Sequence, residues 1–320
     1  MRLIPEYEPV RKLCLSFVQV FFNERFGYGR AICEIIHAAR RFVEVELFIG
    51  LPDLPFFEEE CARRKVSLDS VTLNYDTPGR AIVAEYVPVF AEDSSGEGVA
   101  LVFRNPRLEH ALDLKCFSER LAARLGYRAL DLGFDLATAM LSVNEELVLL
   151  SEGLFEGRTD REMKLQFFRD NFPAQSFHIV SPLAGDVTRD LDMYLWPIAP
   201  RAWVVSEYQA GSPQADSIEP ALRILRDHGH TVHRVPGLEP IIYEDINTMP
   251  NYANGVLING TALVPQYGRK EDEVITSILR DHGYDVMPIN SSRIILSNSA
   301  VHCISKTVPA APRAVGIRPD

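Results

Sequence analysis

The residue pair with most obvious chemical potential is His302-Cys303, inside the segment Val301-His302-Cys303-Ile304-Ser305. A cysteine attacks only as its thiolate, so a reactive one needs partners that lower its pKa or take its proton. Cys303 is one of five cysteines, with Cys14, Cys33, Cys61 and Cys116. The number is odd, the spacing wide and no Cys-x-x-Cys pair occurs, so the pattern indicates neither a zinc site nor a disulfide framework. An arbitrary cysteine is more often a buried structural thiol than a nucleophile. In a strand His302 and Cys303 would point to opposite faces, which makes His302 a packing or hydrogen-bonding residue rather than a base for its neighbour. A second cluster, His228, His230 and His233, has metal-ligand character. Its repeat copy carries Tyr284 and Met287 at matching positions, which favours packing or surface roles and no metal. Asn259-Gly260-Thr261 fits a glycosylation pattern only formally, within a strand-like run.

Any such site must be positioned by a fold, and a repeat indicates which. Ile224-Leu225-Arg226-Asp227-His228-Gly229 recurs 54 residues later as Ile278-Leu279-Arg280-Asp281-His282-Gly283. Each copy follows a strand-like run (Ala202 to Val205; Ala262 to Val264) and precedes another (Thr231 to Val235; Asp285 to Ile289). The glycine after each Asp-His suits a left-handed helix terminus. Weaker copies lie upstream. Val99 to Phe103 leads to a helix over Leu112 to Leu125, and Leu147 to Leu150 leads to one over Arg161 to Asn171, then Phe177 to Val180. Near the start, helical Ile32 to Arg41 precedes strand-like Phe42 to Ile49, and helical Phe56 to Lys65 precedes Val71 to Leu73. About five α/β units at a period of roughly 50–60 residues suggest a closed radial array.

Composition narrows the partners. The 320 residues are 47% hydrophobic and 24% charged, with a formal net charge of −11. This is globular composition, and its acidity argues against nucleic-acid or anionic-membrane partners while suiting a cationic small molecule. Met1 to Glu8 lacks the apolar core of a signal peptide and no apolar run reaches membrane-span length, so the cytoplasm is the expected location. No phosphate-binding Gly-rich loop of the P-loop type is present, and no cofactor is expected. A single domain over 1–308 is expected, with 309–320 as a proline-bearing extension.

The runs Asn251-Tyr252-Ala253-Asn254-Gly255 and Val256 to Gly268, followed by Val301 to Ser305, resemble the closing third of agmatine deiminases and bacterial peptidyl-arginine deiminases. These belong to the guanidino-group-modifying superfamily. Pro5-Glu6-Tyr7-Glu8-Pro9, Pro88 to Asp93 and Asp192-Met193-Tyr194-Leu195 extend the resemblance over nearly the whole chain. It implies the α/β pentein fold, five ββαβ-like units around a pseudo-fivefold axis with the site at the centre, and a homodimer as the usual assembly. It also implies Cys303 as nucleophile toward a guanidinium carbon, Asp192 as guanidinium-binding acid, and Tyr252 and Asn254 near the substrate. In the implied chemistry, thiolate attack and departure of an amine leave an S-alkylthiouronium adduct. Water resolves it in a hydrolase and an amine in an amidinotransferase.

The resemblance also marks departures. The family His-x-Asp reads Asp190-Leu191-Asp192, so the proton-shuttling histidine is Asp190, and residues 185–200 contain no histidine. An ordinary Asp has a pKa near 4 and moves protons at neutral pH only if burial or a neighbouring carboxylate raises it. The family Trp-x-Arg-Asp-x-Gly-Pro reads Ile82 to Pro88 with Glu85 for the Asp, and Glu-Gly-Gly-Asn reads Leu132-Gly133-Phe134-Asp135. Cys14 and Ile82 replace tryptophans. The expected pocket is therefore acidic, built from Glu85, Asp135, Asp190 and Asp192 facing Cys303, with His302 close by. Two functions remain open: a deiminase-like or amidinotransferase enzyme with altered substrate, or a catalytically inactive pentein binding a cationic small molecule or a protein partner.

Overall fold

The computed structural model describes residues 1–19, 25–105, 107–108, 111–155, 160–244 and 246–310. One arrangement recurs five times: two antiparallel strands, a helix, and a third strand parallel to the second. Along the chain, β1 (Arg2–Leu3) and β2 (Val10–Phe17) precede α1 (Tyr28–Ala39), β3 (Glu44–Ile49), α2 (Leu54–Arg64) and β4 (Val71–Asn74). The next unit is β5 (Val89–Glu92), β6 (Gly98–Arg104), α3 (Ala111–Leu125) and β7 (Arg128–Asp135). The third is β8 (Leu141–Asn144), β9 (Leu147–Ser151), α4 (Arg161–Asn171) and β10 (Ser176–Val180). The fourth is β11 (Leu195–Ala199), β12 (Ala202–Glu207), α5 (Pro213–Asp227) and β13 (Thr231–Pro236). After a small hairpin, β14 (Ile241–Tyr243) and β15 (Ile246–Thr248), the fifth is β16 (Val256–Ile258), β17 (Thr261–Gln266), α6 (Asp272–Asp281) and β18 (Asp285–Asn290).

The first unit begins at the other end of the chain. β19 (Ser305–Pro309) pairs antiparallel with β2, pairing Ser305 with Leu15, and supplies the strand that unit lacks. The last strand thus completes the first unit and closes the ring. Pro309 belongs to this strand, and the expected C-terminal extension lies, from residue 311 onward, outside the described residues.

Middle strands such as β9 (Leu-Val-Leu-Leu-Ser) are buried throughout, which explains their continuous apolar runs. Gly229 and Gly283 hold φ of 68° and 83° just beyond α5 and α6, as the repeat requires. In the β16–β17 turn, Asn259 and Gly260 take φ of 45° and 87°. The Asn259 amide donates to the carbonyls of Val10 and Phe42 and accepts from the Val10 N–H, so it latches the fifth unit to the first.

A short turn precedes the first strand of every unit. These turns are Val83–Glu85, Thr138–Met140, Leu191–Met193, residues 249–255 and residues 301–304. They bond to one another in a circle. Thr138 Oγ1 donates to the Ala84 carbonyl, and Thr138–Met140 packs on Leu191–Met193. Asn254 Nδ2 donates to the Asp192 carbonyl at 3.4 Å. The His302 N–H donates to the Asn254 carbonyl at 3.0 Å, and the Ala84 N–H to the Cys303 carbonyl at 3.2 Å. Residues 301–304 therefore form a turn, not the expected strand, because these N–H groups are held by a neighbouring turn rather than by a ladder.

The histidines of the repeat serve packing. The Trp203 indole N–H donates to His230 Nδ1 at 2.9 Å, and His233 and His282 meet through their Nε2 atoms at 2.7 Å. Among the described residues no group of three or more His, Cys, Asp or Glu side chains is placed to hold a metal ion.

Candidate active site

The circle of turns brings four expected residues together. Asn254 is the clamp: its Oδ1 accepts from the N–H groups of His302 (3.0 Å) and Cys303 (3.3 Å). Its Nδ2 donates to Cys303 Sγ at 3.3 Å. The thiol in turn donates to Asp192 Oδ2 at 3.6 Å. His302 Nδ1 meets the same Oδ2 at 2.8 Å, so His302 and Cys303 share one carboxylate oxygen instead of facing opposite ways. The expectation of opposed side chains fails because it assumed a strand. Asp192 Oδ1 is buried and has no hydrogen-bond partner among the described residues.

Behind His302 lies a chain of ion pairs that no local motif marks. His302 Nε2 meets Glu6 Oε2 at 2.8 Å, and Glu6 Oε1 accepts from Lys306 Nζ. Burial opposes charge on the imidazole, but Glu6 and Asp192 outweigh it and raise His302 to about 10. Both ring nitrogens then donate. Burial would raise Glu6, but Lys306 and His302 hold it well below the carboxylate range. Pro5-Glu6-Tyr7-Glu8-Pro9 was visible as a family-like segment, yet nothing local in it points to His302, 296 residues away.

Asp190 flanks the other side, at the head of the Leu191–Met193 turn. Asp186 accepts from Thr188 Oγ1 and from the Arg189 N–H, both at 2.6 Å, and fixes the loop that delivers Asp190. Arg107 Nη1 lies 3.0 Å from Asp190 Oδ1 and donates to the Thr188 carbonyl. Burial raises Asp190 most; Arg107 pulls it down, and Asp192, Asp186 and Glu85 push it up, leaving it at about 8. Burial and the neighbouring carboxylates thus act on Asp190 in the direction that proton transfer at neutral pH requires. Glu85, in the Val83–Glu85 turn, is also raised by burial against the pull of Arg107 and Arg80, with Asp192 adding to the rise. Burial, then Asp192, lift the Cys303 thiol well above its ordinary value, against the Asn254 and Ala300 hydrogen bonds.

Two expected residues are placed elsewhere. Asp135 ends β7 in an ion pair with Arg104 at 3.1 Å and lines a cleft of about 220 Å³ with Asn105, Arg107 and Thr188, beside the Arg107–Asp190 pair. Tyr252 is fully buried and donates to Asp272 Oδ1 at 2.6 Å, anchoring the start of α6 instead of facing the thiol. The acidic set is therefore less uniform than expected, because Arg107 is paired with Asp190.

The sequence matches the model of the Porphyromonas-type peptidyl-arginine deiminase family over residues 145–309, just over half of the chain. Curated protein sequences give no match. Among solved structures, agmatine deiminase of C. jejuni superposes with a TM-score of 0.81 at 18% identity, covering 98% of this chain and 97% of that one. Agmatine deiminase of Enterococcus faecalis gives 0.80 at 16%, covering 96% and 95%. The more distant dimethylarginine dimethylaminohydrolase of Pseudomonas aeruginosa, complexed with citrulline, gives 0.53 at 10%, covering 94% and 100%. At such identities these structures speak for the fold, which is that of the penteins. With the family model, the five closed units and the central turns in agreement, the chain belongs to the Porphyromonas-type peptidyl-arginine deiminase family.

Proposed function

We propose that this protein hydrolyses a guanidino or amidino compound through Cys303, releasing ammonia, with Asp190 moving the proton in place of the family histidine. The observation that carries this reading is Asp192. One of its oxygens is shared by His302 and Cys303, and the other is buried without a donor among the described residues. Leaving such an oxygen unpaired is costly, and the N–H edge of a planar cation satisfies it with charge-assisted hydrogen bonds. Glu85 offers a second carboxyl group beside it.

The chemistry follows from the electrostatics. Burial and Asp192 favour the neutral thiol at Cys303. A docked cation places positive charge against the sulfur and lowers its pKa. Ionised Asp190 takes the thiol proton, and the thiolate adds to the guanidinium carbon. Asp190 then gives that proton to the departing nitrogen, the C–N bond breaks, and the S-alkylthiouronium adduct remains. Asp190 next takes a proton from water, the oxygen adds to the same carbon, and the C–S bond breaks as Asp190 returns its proton to the sulfur, while the remaining hydroxyl proton leaves the ureido product and is taken up by the ammonia.

The test is ammonia release from a panel of agmatine, free arginine, internal peptidyl-arginine and C-terminal peptidyl-arginine. The reading expects one ureido product per ammonia from at least one member, lost in Cys303→Ala. No ammonia and no covalent adduct from any member would count against it. A second reading, an inactive binder of a cation, draws on the Arg107–Asp190 pair, which occupies the proposed proton carrier. It expects calorimetry to give equal affinity of a guanidino compound for wild type and Cys303→Ala, without turnover.

A further inference from the structure

Away from this site, two buried thiols face each other between α1 and α2. Cys33 Sγ and Cys61 Sγ are 3.5 Å apart, and both residues lie in the apolar core of the first unit. We infer that Cys33 and Cys61 form a reversible disulfide on exposure to a hydroperoxide, tying α1 to α2. The sulfurs need approach by only about 1.5 Å to reach bonding distance, a movement of the order of a side-chain rotation.

Three observations support this. The partners are set sulfur to sulfur on two helices that pack together. A cleft of about 610 Å³ reaches Cys33, walled by Glu34, His37, Arg41, Arg63 and Arg64, and gives a small oxidant a route to the pair. Arg63 and Arg64 are paired with Glu60, so the cleft supplies access and is not a source of thiolate character. The contact is a sulfur-to-sulfur hydrogen bond, and with Cys33 as its donor the bond pulls Cys61 below an ordinary thiol against burial, Glu60 and Glu58, so oxidation starts at Cys61. The proposal does not depend on Cys303 or its chemistry.

In the first step the Cys61 sulfur attacks a peroxide oxygen and the O–O bond breaks. The alcohol or water departs with the thiol proton, and Cys61 becomes a sulfenic acid. In the second step the Cys33 sulfur attacks the Cys61 sulfur, the S–S bond forms, the S–O bond breaks, and the hydroxyl leaves as water with the Cys33 proton. Two thiols lose two electrons and two protons, and the hydroperoxide is reduced.

Hydrogen peroxide treatment of the intact protein, followed by alkylation in denaturant and peptide mapping, tests this. The expected result is a linked peptide pair carrying Cys33 and Cys61, abolished by dithiothreitol and equally abundant in Cys303→Ala. In Cys33→Ser, dimedone should capture Cys61. Recovery of both cysteines as separate alkylated or sulfinic peptides from wild type overturns the proposal, as does a Cys33→Ser protein whose Cys61 never reacts with dimedone.

Discussion

At the scale of single residues, burial changes what a side chain can do. Aspartate in water is a poor proton carrier at neutral pH, but Asp190 sits in a buried set with Asp192, Asp186 and Glu85 and is raised to about 8. On the proposed mechanism it must be ionised to accept the thiol proton, so kcat/KM should rise with pH up to about 8 and then level off. Asp190→Asn should lower kcat/KM by about 10²–10⁴-fold and remove that limb, as steady-state pH profiles would show. Asp190→His should move the limb down toward the ordinary histidine range, near 6.5. Cys303, Asp192 and Asn254 were legible because they fall in family-like runs of sequence. Arg107 was not, since its partner Asp190 is 83 residues away and no spacing rule joins them.

At the scale of elements, the strand–helix–strand units were readable because their helices alternate apolar and polar faces and their strands are continuously apolar. The segment around Cys303 was misread for the same reason: Val301 and Ile304 look like strand residues. Their turn is held by Asn254, a contact 48 residues back from His302 that no local pattern encodes. Gly255, next to Asn254, makes this clamp testable. A Cβ there would lie 2.9 Å from the Leu263 carbonyl oxygen and collide with the Trp196 ring. Gly255→Ala should cost about 1–3 kcal/mol by urea denaturation and should slow Cys303 chemistry by displacing its clamp.

At the scale of the molecule, the ring is closed twice. β19 completes the sheet begun by β2, and Glu6 near the start of the sequence pairs with both His302 and Lys306 near its end. His302 is raised from 6.5 to about 10, so its contribution to stability is fully present below about 6.5 and is lost as pH rises through about 10. His302→Gln should therefore destabilise the fold by about 3–5 kcal/mol near neutral pH, with the gap to wild type narrowing toward pH 10 in denaturation measured across pH. Closure of this kind was foreshadowed by five repeats. The pairing of the two chain ends was not, because a repeat period says nothing of which strand completes which unit.

The most direct test of the central claim, that Cys303 and Asp192 form a site for a planar cation, is the rate at which 2-chloroacetamidine alkylates each cysteine at neutral pH. The account predicts fastest labelling at Cys303, preference for the amidine over neutral chloroacetamide, protection by a guanidino compound, and loss of the preference in Asp192→Asn. Equal, slow labelling of Cys303 and the other cysteines, indifferent to probe charge, would contradict it.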